Sequence, residues 1–125
     1  MKSGNFLWWV IAVCILAVGH YSCTYYEIKP AKISTPDSVK FSRDIIPIFT
    51  TSCAKATCHV TGVQSPDLTA PNAYVSLTYF GYISTDDPTS SPLYQKITFG
   101  DMKDKATDQD RALILKWIEQ GAPDN

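Results

Sequence analysis

The chain has 125 residues, 45% of them apolar and 18% charged, with a formal charge of −1 at neutral pH. That length supports one domain, and removal of an N-terminal export segment would leave roughly 100 residues, a small core that gains from any apolar group it can enclose. There is no basic run and no basic patch interleaved with aromatics, which excludes nucleic acid as a partner.

The first element is an export segment. Lys2 gives it a positive start, and Phe6 to Val18 form an apolar run shorter than the roughly 20 residues a bilayer span needs. Gly19-His20-Tyr21-Ser22-Cys23 then has the form of a bacterial lipoprotein signal end, with small Ser22 before Cys23, the residue expected to be lipidated and to become the new N-terminus. His20 and Tyr21 depart from the stricter pattern, and the alternative is an uncleaved anchor helix that places Tyr25 and Tyr26 at the membrane interface. The lipoprotein reading divides the chain into a signal peptide at 1–22, a lipidated N-terminus and flexible tether at 23–39, and a folded domain at 40–125. Pro30, Ser34, Thr35, Pro36 and Ser38 punctuate the tether, which shows no periodicity. Both readings export the domain and hold it at a membrane facing the periplasm, with inner or outer membrane left open. Cys14 is read as an apolar residue of the signal.

A helix is predicted from Ser42, with Ser42 as its cap, Asp44 in its first turn, Ile45, Ile46, Ile48 and Phe49 on its apolar side, and Pro47 bending it or delaying its start. It ends at Cys53-Ala-Lys-Ala-Thr-Cys58-His59. Two thiols followed at once by an imidazole suit covalent capture of a haem: each thiol adds across one vinyl group, and the adjoining His supplies the proximal nitrogen to iron. The usual spacing is C-x-x-C-H, and four intervening residues make this a wider variant. A second predicted helix has Thr69 as cap, Pro71 in its first turn, Tyr74, Val75, Leu77 and Phe80 buried, and Gly81 as its stop. Ser91 caps a third, with Pro92 first and Leu93, Tyr94 and Ile97 inward. The loop from Phe99 to Ala106 carries Met102. Thr107 and Asp110 form a capping box for the last helix, whose Ala112, Leu113, Ile114, Trp117 and Ile118 recur at helical spacing until Gly121 and Pro123 end it.

Alternatives to haem exist for the cysteine pair. A disulfide closing a small loop suits an oxidising compartment but leaves His59 as coincidence. Structural zinc takes four ligands where this domain offers three, and a catalytic zinc on three ligands crowded into seven residues would lack support from a second element. A haem electron carrier wants a second axial ligand, usually His or Met. Besides the initiator and His20 of the leader, the chain offers one Met, Met102, and one His, His59. Tyr74, Tyr79, Tyr82 and Trp117 are candidates to line the haem or hydrogen-bond its propionates, or are simple core or surface residues, and Lys96, Lys103 and Lys105 read either as meeting an acidic partner or a propionate or as a solvated face interleaved with Asp101 and Asp104.

Residues 39–125 resemble a class I c-type cytochrome, in particular the small exported bacterial monohaem domains in which an apolar helix runs into a widened haem site. The resemblance is carried by Phe41, Asp44, Ile45, Pro47, Ile48 and Phe49, by Cys53, Cys58 and His59, by Ser91-Pro92-Leu93-Tyr94, and by Trp117-Ile118-Glu119-Gln120-Gly121-Ala122. It implies an all-α fold, a bundle of three to five short helices around one covalent haem c, with His59 and Met102 as iron ligands. It also implies an electron carrier and not an enzyme, shuttling single electrons between redox proteins, free-standing or as a subunit of a respiratory complex. One departure stands out: the family commonly has Pro after the ligand Met, and here Lys103 follows. Two other classes stay open. A haem sensor or peroxidase-like enzyme needs an open sixth position, and no distal His or Arg partner is evident for a peroxidase. A disulfide-stabilised binding lipoprotein needs no haem.

Overall fold

Pro47 decides the form of the first helix in this structure, a computed structural model that describes residues 33–125. Residues 41–53, here α1, are helical throughout, but Phe41–Ile45 and Phe49–Cys53 run in wide π turns on either side of a short α segment, Ile46–Ile48. Proline has no N–H and its ring crowds the preceding turn, so neighbouring amides reach one residue further back. Ile46 N–H donates to the Phe41 carbonyl, and Ala54 N–H to the Phe49 carbonyl at 2.8 Å. The Thr50 and Thr51 hydroxyls donate to the carbonyls of Ile46 and Pro47 at 2.9 and 2.8 Å, adding to the backbone bonds of the widened turns. The expected start is corrected. The helix begins at Phe41 with Lys40 as its cap residue, and the Ser42 hydroxyl donates to the Asn125 carbonyl at 2.8 Å instead of accepting from the helix. Asp44 accepts the Lys40 amide at 2.7 Å and pairs with Arg43.

The remaining helices are α2 (Ala73–Tyr79), α3 (Pro92–Thr98) and α4 (Asp108–Glu119), with single 3₁₀ turns at Pro88–Ser90 and Lys103–Lys105. The domain is all-helical, with no strand among the described residues. The α4 capping box forms as expected: Thr107 accepts the Asp110 amide while the Asp110 carboxylate accepts the Thr107 amide. Three other expectations are corrected. Asn72, not Thr69, occupies the cap position of α2. Ala73, Ser76 and Leu77 are its buried residues, whereas Val75 and Phe80 are 62% and 65% exposed, because a two-turn helix can turn only one narrow face inward. Ser91 precedes α3 without capping it by side chain: its hydroxyl is fully buried, donating to the Ser84 carbonyl and accepting the Ser84 amide.

The core runs from Val39 through Phe41, Ile45 and Phe49 of α1 to Leu77, Ile97, Ile114, Trp117 and Ile118. Phe41 is its hinge, with ring centroids 4.9 Å from Trp117, 5.4 Å from Tyr74 and 6.4 Å from Phe49, the last two edge-on. The first described residues and the C-terminal residues are tied to the same layer. The Gln120 side chain pairs with both backbone groups of Val39 at 3.0 Å, the Gln109 amide donates to the Ser34 carbonyl at 2.9 Å, and the Phe41 amide donates to Asn125 Oδ1 at 2.8 Å. Residues 34–39, placed by sequence in the tether, are therefore docked along α4. The expectations for the signal at 1–22, for Cys14 and His20, for Cys23 and for the first part of the tether lie outside the described residues. Among the described residues no helix is long and apolar enough to cross a membrane.

Asp67 organises the loop between the two cysteines and α2. Its carboxylate accepts from the Thr61 and Thr69 hydroxyls at 2.6 Å each, from the Thr69 amide at 3.0 Å and from Asn72 Nδ2 at 2.9 Å. Those donors hold its pKa down, from an ordinary 3.8 to about 2. Asp44, gripped first by Arg43 and then by the Lys40 amide, is lowered to about 2 as well. A carboxylate with a depressed folded-state pKa stabilises fully above its unfolded pKa and loses that contribution as pH falls through the folded one. Stability is therefore expected to drop between about pH 4 and pH 2. Asp67→Asn should cost about 1 kcal/mol at neutral pH, after discount for solvent screening, and should flatten the acid limb in urea unfolding followed across that range. An unchanged acid limb in the variant would show that Asp67 is not a source of it.

Candidate functional site

α1 ends by handing its backbone to a closed loop. The Cys53 carbonyl accepts from the Lys55 amide at 2.9 Å and from the His59 amide at 3.2 Å, and the Cys58 amide donates to the Lys55 carbonyl at 2.8 Å. This self-bonded loop brings Cys53, Cys58 and His59 to one wall of a cavity of about 300 Å³. Met102 reaches the same cavity from the loop after α3, so all four residues singled out by sequence within the domain come together. The remaining lining is largely apolar, with Leu68 from the loop before α2, Tyr82 after it, and Pro92, Leu93 and Ile97 from α3. Tyr82 is placed by its own backbone: its amide donates to the Leu77 carbonyl at 2.9 Å and its carbonyl accepts the Leu93 amide at 3.1 Å.

His59 is buried, and its Nδ1 lies 3.0 Å from the Pro66 carbonyl. A carbonyl only accepts, so Nδ1 is the donor in this contact, which orients the ring and leaves Nε2 as the nitrogen available to a ligand. Cys53 and Cys58 are free thiols, both half-buried. Burial pushes the Cys53 thiol up, with Asp110 and Cys58 adding to the shift and Lys55 opposing it. Cys53 therefore stays neutral until deprotonated by whatever modifies it.

The Met102 loop is held at several points. The Met102 amide donates to the Lys96 carbonyl at 3.2 Å, and the Lys105 amide donates back to the Met102 carbonyl at 3.0 Å. Gly100 sits so close over α3 that a Cβ would stand 2.9 Å from the Lys96 Cα and carbonyl oxygen, so only glycine fits there without moving the loop. Arg111 of α4, missed by sequence reasoning, donates from Nε to the Ile97 carbonyl at 2.7 Å and from its terminal nitrogens to Asp108 at 2.6 Å and to the Lys103 carbonyl. Pro66 was missed as well: nothing in the sequence marks which carbonyl will face a histidine seven residues earlier.

Charge at the site is confined to its mouth. Lys96 and Asp101 pair at 3.1 Å with side chains 63% and 65% exposed, and this contact holds the Asp101 carboxyl below its usual range. Lys96 and Lys105 line the cavity and Lys103 does not. Of the aromatic candidates only Tyr82 lines it. Tyr79 is 80% exposed, the Tyr74 hydroxyl donates to the Ala122 carbonyl at 3.2 Å, and Trp117 is fully buried with Nε1 on the Pro123 carbonyl at 2.9 Å. Among the described residues no group of three or more His, Cys, Asp or Glu is gathered to hold a metal ion. What the site offers is two free thiols, one imidazole nitrogen and one thioether around an apolar space, which suits a flat apolar ligand with a metal at its centre better than a bare cation. Set against known protein families, curated proteins and solved structures, the chain matches none.

Proposed function

We propose that the domain is a monohaem c-type cytochrome of class I that carries single electrons between redox partners outside the cytoplasm. The observation that carries this reading is the convergence of Cys53, Cys58, His59 and Met102, from separate stretches of chain, on one apolar cavity, with His59 Nδ1 engaged so that Nε2 is the free donor. The donor set suits haem c: the Cys53 and Cys58 thiols could take the vinyl groups, His59 nitrogen and Met102 sulfur could ligate the iron, Leu68, Leu93 and Ile97 could pack against the ring, and Lys96 and Lys105 could meet its acidic substituents. Haem, when bound, supplies a one-electron ferric/ferrous couple. Cys53 and Cys58 would hold it to the chain, His59 and Met102 would supply the nitrogen and sulfur ligands to its iron, and the apolar walls would exclude water. No side chain need transfer a proton or form a bond to a substrate. A potentiometric titration of the protein made with a cytochrome c maturation system should fit a single one-electron step, and the ferrous form should resist carbon monoxide. Rapid carbon monoxide binding by the wild type would favour a sensor or peroxidase-like site with an open sixth position.

The apolar run from Phe6 to Val18 and the Ser22-Cys23 pair support export and a lipid anchor at Cys23, facing redox proteins or a respiratory complex at a periplasmic membrane surface. Cys23→Ala should block lipid attachment and signal removal, read as an increase in intact mass to that of the unprocessed, unlipidated chain. A wild-type mass equal to the unmodified chain from Met1 to Asn125 would favour the uncleaved anchor helix.

A further inference from the structure

We infer that Arg111 is the positioning residue for Met102, a role that rests on the reading of Met102 as an axial ligand. Beyond the backbone bonds from the Met102 amide to the Lys96 carbonyl and from the Lys105 amide to the Met102 carbonyl, the Met102 loop has only weak ties of its own. No proline lies between Phe99 and Ala106, the Lys103 amide bond to the Gly100 carbonyl is 3.3 Å long, and the Lys96–Asp101 ion pair is largely exposed and of the kind that contributes little. Arg111 is the one charged tie that reaches this loop from the last helix. Its side chain is 19% exposed. One edge of the guanidinium holds the Ile97 carbonyl near the end of α3, whose Ile97 side chain lines the cavity, and another holds the carbonyl of Lys103, the residue after Met102.

The fork itself is fixed at its base. Arg111 Nη1 pairs with Asp108 at 2.6 Å, the Arg111 amide donates to the Thr107 carbonyl at 3.0 Å, and the Thr107–Asp110 capping box sets the first turn of α4. A rigid planar group spanning two carbonyls braces the loop against α3 beside the Met102–Lys96 backbone bond, which a lysine ammonium on a flexible stem does not reproduce. The last helix thereby helps to fix where the thioether stands, although none of its residues lines the cavity. Arg111 touches neither haem nor Met102 in this role and acts only through the loop backbone.

The test uses the full chain with haem attached, in wild type, Arg111→Gln, Arg111→Lys and Met102→Ala forms. It reads carbon monoxide binding to the ferrous protein, sulfoxide formation at Met102 under peroxide, and far-ultraviolet circular dichroism. Loss of a charge-assisted bond to the loop should raise the detached population, so Arg111→Gln should bind carbon monoxide and oxidise at Met102 about tenfold faster with helix content retained, and Arg111→Lys should lie between. A purely structural arginine would lower the melting temperature and leave both rates at the wild-type value, and that result in either folded Arg111 variant would overturn the assignment. Failure of Arg111→Gln to fold leaves Arg111→Lys to decide it. If Met102→Ala itself binds carbon monoxide no faster than wild type, the ligand reading beneath the proposal falls; if only the Arg111 variants match wild type, the ligand reading stands and the role of Arg111 falls.

Discussion

Replacing Cys53 and Cys58 together by Ala is expected to abolish covalent haem and to leave a chain that folds poorly. The cavity they line, about 300 Å³, lies beside Leu68, Leu93 and Ile97 in a core built from only a few short helices. Without the apolar plate that fills it, this space takes up water against apolar walls, and domains of this size are stable by only about 5–15 kcal/mol, so the loss of that burial is enough to weaken the fold. The double variant should show no haem stain after denaturing electrophoresis and a broadened, low-temperature melt. Haem that survives denaturation in the double variant would contradict thiol attachment. Each single variant should keep one thioether bond and fall between these limits.

Met102→Ala is expected to leave haem attached while changing its electronic state. Met102 is the one thioether that lines the cavity, and the described residues hold no histidine other than His59. Thioether ligation raises a haem potential, so its removal should lower the midpoint by a sizeable share of the roughly 0.8 V that axial ligation spans. It should also open the ferric iron to cyanide and the ferrous iron to carbon monoxide. The near-infrared sulfur-to-iron charge-transfer band of the ferric wild type should vanish. If the wild type lacks that band and Met102→Ala leaves spectrum and potential unchanged, Met102 is a loop residue only, and a site with an open or otherwise filled sixth position must replace the electron-carrier reading.

Features set by local chemistry were legible in the chain. The Thr107–Asp110 box, the glycine stop at Gly121 with φ of 90° and the apolar face of Ile114, Trp117 and Ile118 follow from residue type and helical spacing, and each stands as expected. Cys53, Cys58 and His59 lie within seven residues of chain, so their shared wall follows from spacing, whereas the fold alone brings Met102 to the same cavity. What spacing does not encode is which of several competing partners a polar group finds. Ser42 and Ser91 look like helix caps by position, but Ser42 bonds Asn125 and Ser91 bonds Ser84, partners that only tertiary packing brings near. Val75 and Phe80 look buried by hydropathy, yet α2 is too short to turn them inward together with Leu77. The widened turns around Pro47 were foreshadowed only as a bend, since a proline in the sequence marks a lost amide donor but not which carbonyls the neighbouring amides then reach. Arg111 and the Pro66 carbonyl left no local trace, because both act on residues brought close by the fold.

The most direct measurement of the central claim is a visible absorption spectrum of the full chain produced with a cytochrome c maturation system, taken before and after acid-acetone extraction. The expected result is a reduced c-type haem spectrum, one haem per chain, that stays with the protein through extraction. A chain that matures as well-folded protein without haem, or whose haem leaves with the solvent, would contradict covalent attachment at Cys53 and Cys58 and with it the reading of this domain as a c-type cytochrome.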